Sequence, residues 1–339
     1  MALSVGLGRR QRRSVTTTRP SGSLARDIVI GVGSSTASDH VLRRAMAEGA
    51  STHRAVRAIH TWSTPAWGAG PTADGWTRMP SAQEQDRWAK DVADQALAQG
   101  RRTHAGAGVG EVTATAEGSE GFAGDVLVRA AAESGLLVVG GRSHGGLGSA
   151  LLGSSTGYAL HHAGCPVMVV PTTAADGPFR RVVVGFDDSP CSRSALRWAL
   201  DAARRHRCPL VVVHALRLTR LAGQMPAADL YPAYAVELQE WLDGEVAEIK
   251  GSPDDVAVST QVRDGSAAEV LLAEAGTDDL LVLGSRGRGG FRSLLLGSVA
   301  TQCAQHSRGA LVVVRAGTER LDDQRTAVAA GRVQSPAQG

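Results

Sequence analysis

Short apolar runs alternate with longer amphipathic stretches along the chain, and the alternation repeats once. In the second half the runs are RVVVGF at 181–186, PLVVVHAL at 209–216, VAVSTQVRDG at 256–265, DLLVLG at 279–284 and ALVVVRA at 310–316. Valine-rich runs of this length, bounded by glycine or polar residues, predict strands buried on both faces. Stretches of helical period lie between them and predict helices over 192–206, 233–250 and 267–274, with a further one opening at Ser298. The first half repeats the order, with strands over 27–32, 55–62, 111–117, 135–140 and 166–171 and helices over 38–50, 83–99 and 124–133. A loop rich in Gly, Pro and Trp spans 63–80.

Strands alternating with helices predict the α/β class, with parallel strands and crossover helices on both faces. The expected architecture is two tandem doubly wound domains of five mostly parallel strands, at 24–172 and 178–317. The segment TTAADGPF at 172–179 reads as a short linker, so the halves are expected to pack on each other. The final valine-rich strands of the two halves are expected at that contact, because leaving either edge bare invites aggregation.

The chain has 339 residues, 43% of them hydrophobic and 20% charged, which is the composition of a soluble globular protein of two domains. The formal net charge is only +3. Much of the excess sits in the arm 1–23, where Arg9, Arg10, Arg12, Arg13 and Arg19 meet no acid; the arm and the polar tail 318–339 are expected to be disordered. The arm reads as a solvated tail rather than a nucleic-acid or lipid contact, it lacks the apolar core of a secretory signal, and no run reaches membrane-spanning length. The four cysteines have no zinc spacing and read as thiols of a reducing cytoplasm. The pair His161-His162 reads as helix surface rather than as a metal site.

One segment carries more than fold. LVVGGRSHGGLGSALLGS at 137–154 and LVLGSRGRGGFRSLLLGS at 281–298 agree at eleven of eighteen positions, and Gly140/Gly284, Gly145/Gly289, Gly146/Gly290 and Gly153/Gly297 recur in register. A plain apolar core does not require those glycines, so something is expected to approach the backbone there. A strand ending at Gly284, a loop of Gly and Arg, and a helix opening at Gly297-Ser298 together read as a phosphate site. Missing Cβ atoms expose backbone N–H groups, and a helix N-terminus adds unpaired donors and a favourable dipole. Ser298 is expected to act as N-cap and hydroxyl donor. A flexible Gly-rich surface loop is the structural alternative. In a doubly wound sheet ligands bind beyond the carboxyl ends of strands, and Gly31/Gly185 and Gly140/Gly284 end the first and fourth strands on that edge.

The pattern Gly284-x2-Gly287-x9-Gly297-Ser298 resembles the ATP-binding signature of the universal stress protein family, and the resemblance covers about 24–316. It implies that Asp187, after the first strand in VVVGFDDSP, accepts the ribose hydroxyls, and that the backbone of Ala215 meets the adenine edge. An Asx turn or helix cap is the alternative for this stretch and suits Asp188 or Ser189 better. The candidate ATP site of the second half is therefore Gly185, Asp187, Ala215, Gly284, Arg286, Gly287, Arg288, Gly297 and Ser298, with the two arginines available to neutralise a triphosphate. His214 and its counterpart His60 read as packing residues at the strand ends.

In the first half the corresponding residues are Gly31, Gly33, Thr61, Gly140, Arg142, Ser143, Gly153 and Ser154. Gly33 stands in place of Asp187 and Ser143 in place of Gly287, so a ribose acceptor is lost and a Cβ is added, and nucleotide binding there is left open. The chain has no Walker loop, kinase signature, nucleophile elbow or zinc-protease helix, and GVGSST at 31–36 lacks the acidic residue a dinucleotide fold needs after its second strand. No nucleophile, base and oxyanion donor are visible together. The resulting expectation is a cytoplasmic ATP-binding protein with Mg²⁺ or Mn²⁺ accompanying the nucleotide, regulatory rather than enzymatic, with an unidentified protein partner and homodimerisation through sheet edges. The resemblance implies a role in bacterial stress or dormancy physiology. A slow ATP hydrolase or phosphotransfer enzyme and a ligand-free scaffold are the alternatives.

Overall fold

The computed structural model describes residues 27–33, 36–63, 81–104, 112–141, 152–216, 227–251, 255–288 and 295–317. The basic arm, the C-terminal tail and most of the loop 63–80 lie outside them.

The first half comprises β1 (Ile28–Gly31), α1 (Thr36–Thr52), β2 (Val56–Trp62), α2 (Ala82–His104), β3 (Ala114–Glu120), α3 (Ala123–Ala130), β4 (Leu136–Gly140), α4 (Ser154–His162) and β5 (Val167–Val170). The second comprises β6 (Val182–Gly185), α5 (Pro190–His206), β7 (Leu210–Leu216), α6 (Ala227–Lys250), β8 (Val258–Asp264), α7 (Ala267–Glu274), β9 (Leu280–Gly284), α8 (Ser298–His306) and β10 (Ala310–Val314). The strands form a single ten-stranded sheet in the order β3-β2-β1-β4-β5-β10-β9-β6-β7-β8. Pairing is parallel within each half, and the halves meet where β5 runs antiparallel to β10. Strand order reverses between β1 and β4 and again between β6 and β9, the places where a doubly wound sheet opens a crevice.

Alternation along the strands divides the core into two layers. Ile28, Ile30, Val182 and Val184 face one way, onto α1, α2, α5 and α6, while Val29 and Val183 face the other, with α3, α4, α7 and α8. Each layer runs unbroken through both halves, so the short linker joins two units that share a core.

The β5–β10 contact is symmetric residue by residue. Met168 lies opposite Val312, its own counterpart 144 positions on, flanked by Val167 with Val313 and Val169 with Leu311. An approximate internal twofold therefore passes through that pair, and the expected contact of the two final strands is observed. It also uses the two valine-rich edges within the chain, leaving β3 and β8 as the outer strands.

A buried polar contact completes the join. Glu48 of α1 is 1% exposed and lies 3.2 Å from Nε2 of His206 at the end of α5. Arg44 lays its guanidinium 4.1 Å from the Phe179 ring centroid and donates to the linker carbonyls of Ala175 at 2.6 Å and Gly177 at 3.0 Å. Burial would raise the Glu48 carboxyl, but the charge and hydrogen bonding of His206, with Arg205 and Arg44 behind it, hold it below the usual carboxylate value.

Several boundaries differ from the sequence expectation, among them the start of α6, which lies at Ala227 rather than 233. β3 begins at Ala114, because its weakly apolar run ATAEGSE takes its register from all seven residues of β2. α2 continues through Gly100 to His104, and the glycine fits because a Cβ there would press on Leu42 at 2.9 Å.

Candidate functional site

The ends of β6, β7 and β9 and the start of α8 enclose a cavity of about 270 Å³ at the strand-order reversal of the second half. All nine residues expected there (Gly185, Asp187, Ala215, Gly284, Arg286, Gly287, Arg288, Gly297 and Ser298) line it. Its lining combines apolar side chains, Phe186, Val213, Ala215 and Leu283, with Arg286, Arg288 and the N-terminus of α8.

Asp187 is the carboxylate in that lining. Its Oδ1 accepts the N–H of Ser189 at 3.1 Å and its Oδ2 accepts the N–H of Arg288 at 2.9 Å. Burial would raise its carboxyl, yet the hydrogen bonds from Ser189, the Arg288 backbone and Ser192 outweigh it and hold the group below the ordinary value. The helix cap is separate: Ser189 caps α5 by accepting from Ser192 N at 3.1 Å, with Pro190 in the first turn. Ser189 Oγ also donates to Arg286 O at 3.2 Å, so the start of α5 fastens the loop that follows β9.

Glycines of this site have reasons inside the protein, and at Gly284 the expected close approach to the backbone is made by the protein itself. A Cβ on Gly284 would meet the backbone of α5, at 2.7 Å from Cys191 C and 2.8 Å from Ser192 N, and one on Gly287 would collide with Asp187 Oδ2. The close approach is made by helix and carboxylate, and it brings the loop against the first strand's end. Gly185 lets β6 pack on α7, where a Cβ would meet Leu271 at 2.9 Å.

Ser298 is not the cap of α8. Gly297 takes that position with extended backbone and donates to Ser285 O at 2.7 Å, which leaves Ser298 as the first helical residue, exposed at the cavity. The sequence Gly-Ser suits either register, and the bond to Ser285 decides it.

His214 donates from Nδ1 to Phe186 O at 2.8 Å, and His60 does the same to Val32 O at 2.8 Å. Since a carbonyl only accepts, the bond fixes the tautomer. Each ring also meets a tryptophan edge-on, Trp241 at 5.1 Å and Trp88 at 5.4 Å. Both histidines pack the strand ends, as expected. His161 and His162 are exposed in the last turn of α4, and all four cysteines are buried thiols outside any disulfide.

In the first half, Gly31, Gly33, Thr61, Gly140, Gly153 and Ser154 occupy the corresponding edge, with Gly153 again preceding the helix. The Gly33 N–H donates to Ser38 Oγ at 2.9 Å, matching Asp187 N–H to Ser192 Oγ at 3.3 Å. The backbone frame is kept and the carboxylate is gone. Arg142 and Ser143 lie outside the described residues.

Sequence reasoning missed the supports of the loop. Arg288 is neither a free loop arginine nor simply a pocket residue; its Nη2 pairs with Asp188, and its guanidinium lies 6.0 Å from the Trp241 ring centroid. The adjacent acids Asp187-Asp188 were the visible signal. Arg315, at the end of β10, donates to Leu160 O at 2.9 Å and His161 O at 2.6 Å, so it ties the second half to the last turn of α4; burial and then the like charge of Arg286 lower its pKa.

A twofold-related pair of doubly wound α/β units, with a carboxylate, a Gly-Arg loop and a helix start around the crevice of the second, defines a tandem α/β protein. Its relatives agree. The sequence profile of the universal stress protein family matches residues 25–171 and 178–315, and the chain belongs to that family. A universal stress protein of Mycolicibacterium smegmatis is 33% identical over 294 residues, covering 85% of this chain and 96% of its own. One from Mycobacterium tuberculosis is 28% identical over 302 residues, covering 87% and 98%. Among solved structures, a universal stress protein from Archaeoglobus fulgidus shares the fold at a TM-score of 0.59 and 17% identity, covering 87% of this chain and 97% of its own. No helix among the described residues is long and apolar enough to cross a membrane.

Proposed function

We propose that the second half binds ATP and that the protein acts as a nucleotide-dependent regulator in a stress response. The observation that carries this reading is the convergence of apolar wall, Asp187 carboxylate, Gly-Arg loop and α8 N-terminus on one cavity of about 270 Å³. Each part suits one part of the ligand. Val213, Ala215 and Leu283 offer an apolar slot for adenine, with backbone groups at its rim. The Asp187 carboxylate is an acceptor for ribose hydroxyls, which would replace the N–H groups it now receives. Arg286, Arg288 and the unpaired N–H groups at the start of α8 supply positive potential for phosphates, where Mg²⁺ or Mn²⁺ would accompany the nucleotide.

The same lining argues for regulation over turnover. Among the described residues around the cavity, Asp187 is the sole carboxylate, and no histidine or lysine is present. Asp187 already accepts two N–H groups and has a lowered pKa, so it is a weak base for activating water. The first half, with Gly33 where the acceptor stands, is the weaker site or an empty one. Because β5 and β10 pair within the chain, self-association would use β3, β8 or a helical face, and the four buried thiols suit a cytoplasmic location. Mass spectrometry of the purified protein for copurified nucleotide tests the proposal: adenine nucleotide in a stoichiometric amount supports it, and failure to bind or retain ATP at millimolar concentration contradicts it.

A further inference from the structure

We propose that Asp188 is a positioning residue that holds Arg288 ready for nucleotide phosphates, and so sets how far the site prefers a triphosphate over ligands with less charge. The inference rests on the ATP reading above and concerns a residue outside the cavity lining.

Asp188 adopts φ of +60°, a left-handed conformation uncommon for a residue with a Cβ. That twist takes its carboxylate away from the start of α5, whose cap is Ser189, and turns it to two arginines. Oδ1 accepts Nε of Arg193 at 2.5 Å, and Oδ2 accepts Nη2 of Arg288. Arg193 is itself paired with Glu245 of α6, and Trp241, one turn earlier on that helix, lies beside the Arg288 guanidinium. The backbone N–H of Arg288 is fixed separately by Asp187 Oδ2 at 2.9 Å. Arg288 is thus held at its main chain by one acid and at its tip by the next, although its side chain is 60% exposed.

An exposed arginine loses much rotamer freedom when it clamps a ligand, and a tether in place beforehand removes most of that loss. The tether uses Nη2, while a guanidinium has five N–H donors, so Arg288 can keep Asp188 and still take phosphate oxygens. The charges of Arg288, Asp188, Arg193 and Glu245 sum to zero, so the arrangement is stable without ligand. At the same offsets in the first half stand Ser34 and His144, so neither partner of the tether recurs there.

Titration calorimetry of the full chain with adenosine, AMP, ADP and ATP, at low and moderate salt, tests the proposal on Asp188→Asn and Asp188→Gly. Glycine suits the positive φ, so the second variant removes the carboxylate while relieving backbone strain and keeps the fold. ATP should bind about tenfold more weakly in both variants, ADP less so, and adenosine as in the parent. The loss should shrink with salt, and Arg288→Ala should reproduce it with no further loss on combination. Equal weakening of adenosine and ATP, or unchanged or tighter ATP binding, overturns the proposal while leaving the ATP site intact. A parent protein that binds none of the four ligands overturns the ATP reading and this inference together.

Discussion

Gly287 lies so close to the Asp187 carboxylate that a Cβ on it would collide with Oδ2. The two residues are a hundred positions apart, yet each constrains the other: an acid at the end of β6 demands a glycine in the loop after β9. The first half carries the complementary exchange, Gly33 with Ser143, in which the acid and the bare backbone are lost together.

The pairing predicts coupled mutations. Gly287→Ala should destabilise the second half and unseat the loop, whereas the same change made on Asp187→Ala should cost little further. Denaturant unfolding of the single and double variants should give a coupling energy of about 1–2 kcal/mol. Additive effects would show that the glycine serves something other than the carboxylate.

Much of the fold was legible from periodicity, because the buried strands are continuous apolar runs such as VVVG before Phe186 and LLVLG before Ser285. Their equivalence was legible from the glycines. What failed was whatever depends on tertiary neighbours. The start of β3 is set by hydrogen bonds to β2, the cap of α8 by the bond from Gly297 to Ser285, and the pairing of Arg288 by a left-handed backbone at Asp188. All nine expected residues of the second-half site line one cavity, and two of its glycines are demanded by α5 and Asp187, neighbours that spacing does not reveal.

The join between halves should depend on Glu48. Replacing it with alanine removes the carboxylate beside buried His206 and an acid near Arg205 and Arg44, which should cost about 3–5 kcal/mol in urea unfolding. A loss below about 1 kcal/mol would mean that the β5–β10 pairing and apolar core hold the halves without it.

Asp187 should make the site sensitive to acid. Its pKa is lowered on folding, so it contributes stability above the unfolded carboxylate value, near 4, and that contribution disappears as pH falls through the lowered folded value. Stability of the parent should therefore fall more steeply below about pH 4 than that of Asp187→Asn, read by thermal unfolding across that range. Identical slopes would remove Asp187 from the linkage.

Cys303 should be silent toward thiol reagents. Burial pushes its pKa up to about 12, so at pH 8 almost none is thiolate while the chain is folded. Labelling with mass-spectrometric mapping should find it unmodified in native protein and modified in denaturant; rapid native labelling would indicate local opening of α8.

Calorimetric titration of ATP into the parent, Asp187→Ala and a bulky replacement of first-half Gly145 addresses the central claim most directly. The account predicts one tight site per chain, abolished by Asp187→Ala and left nearly intact by the Gly145 change. Absence of binding in the parent, or a tight site that survives Asp187→Ala and is lost with Gly145, would contradict it.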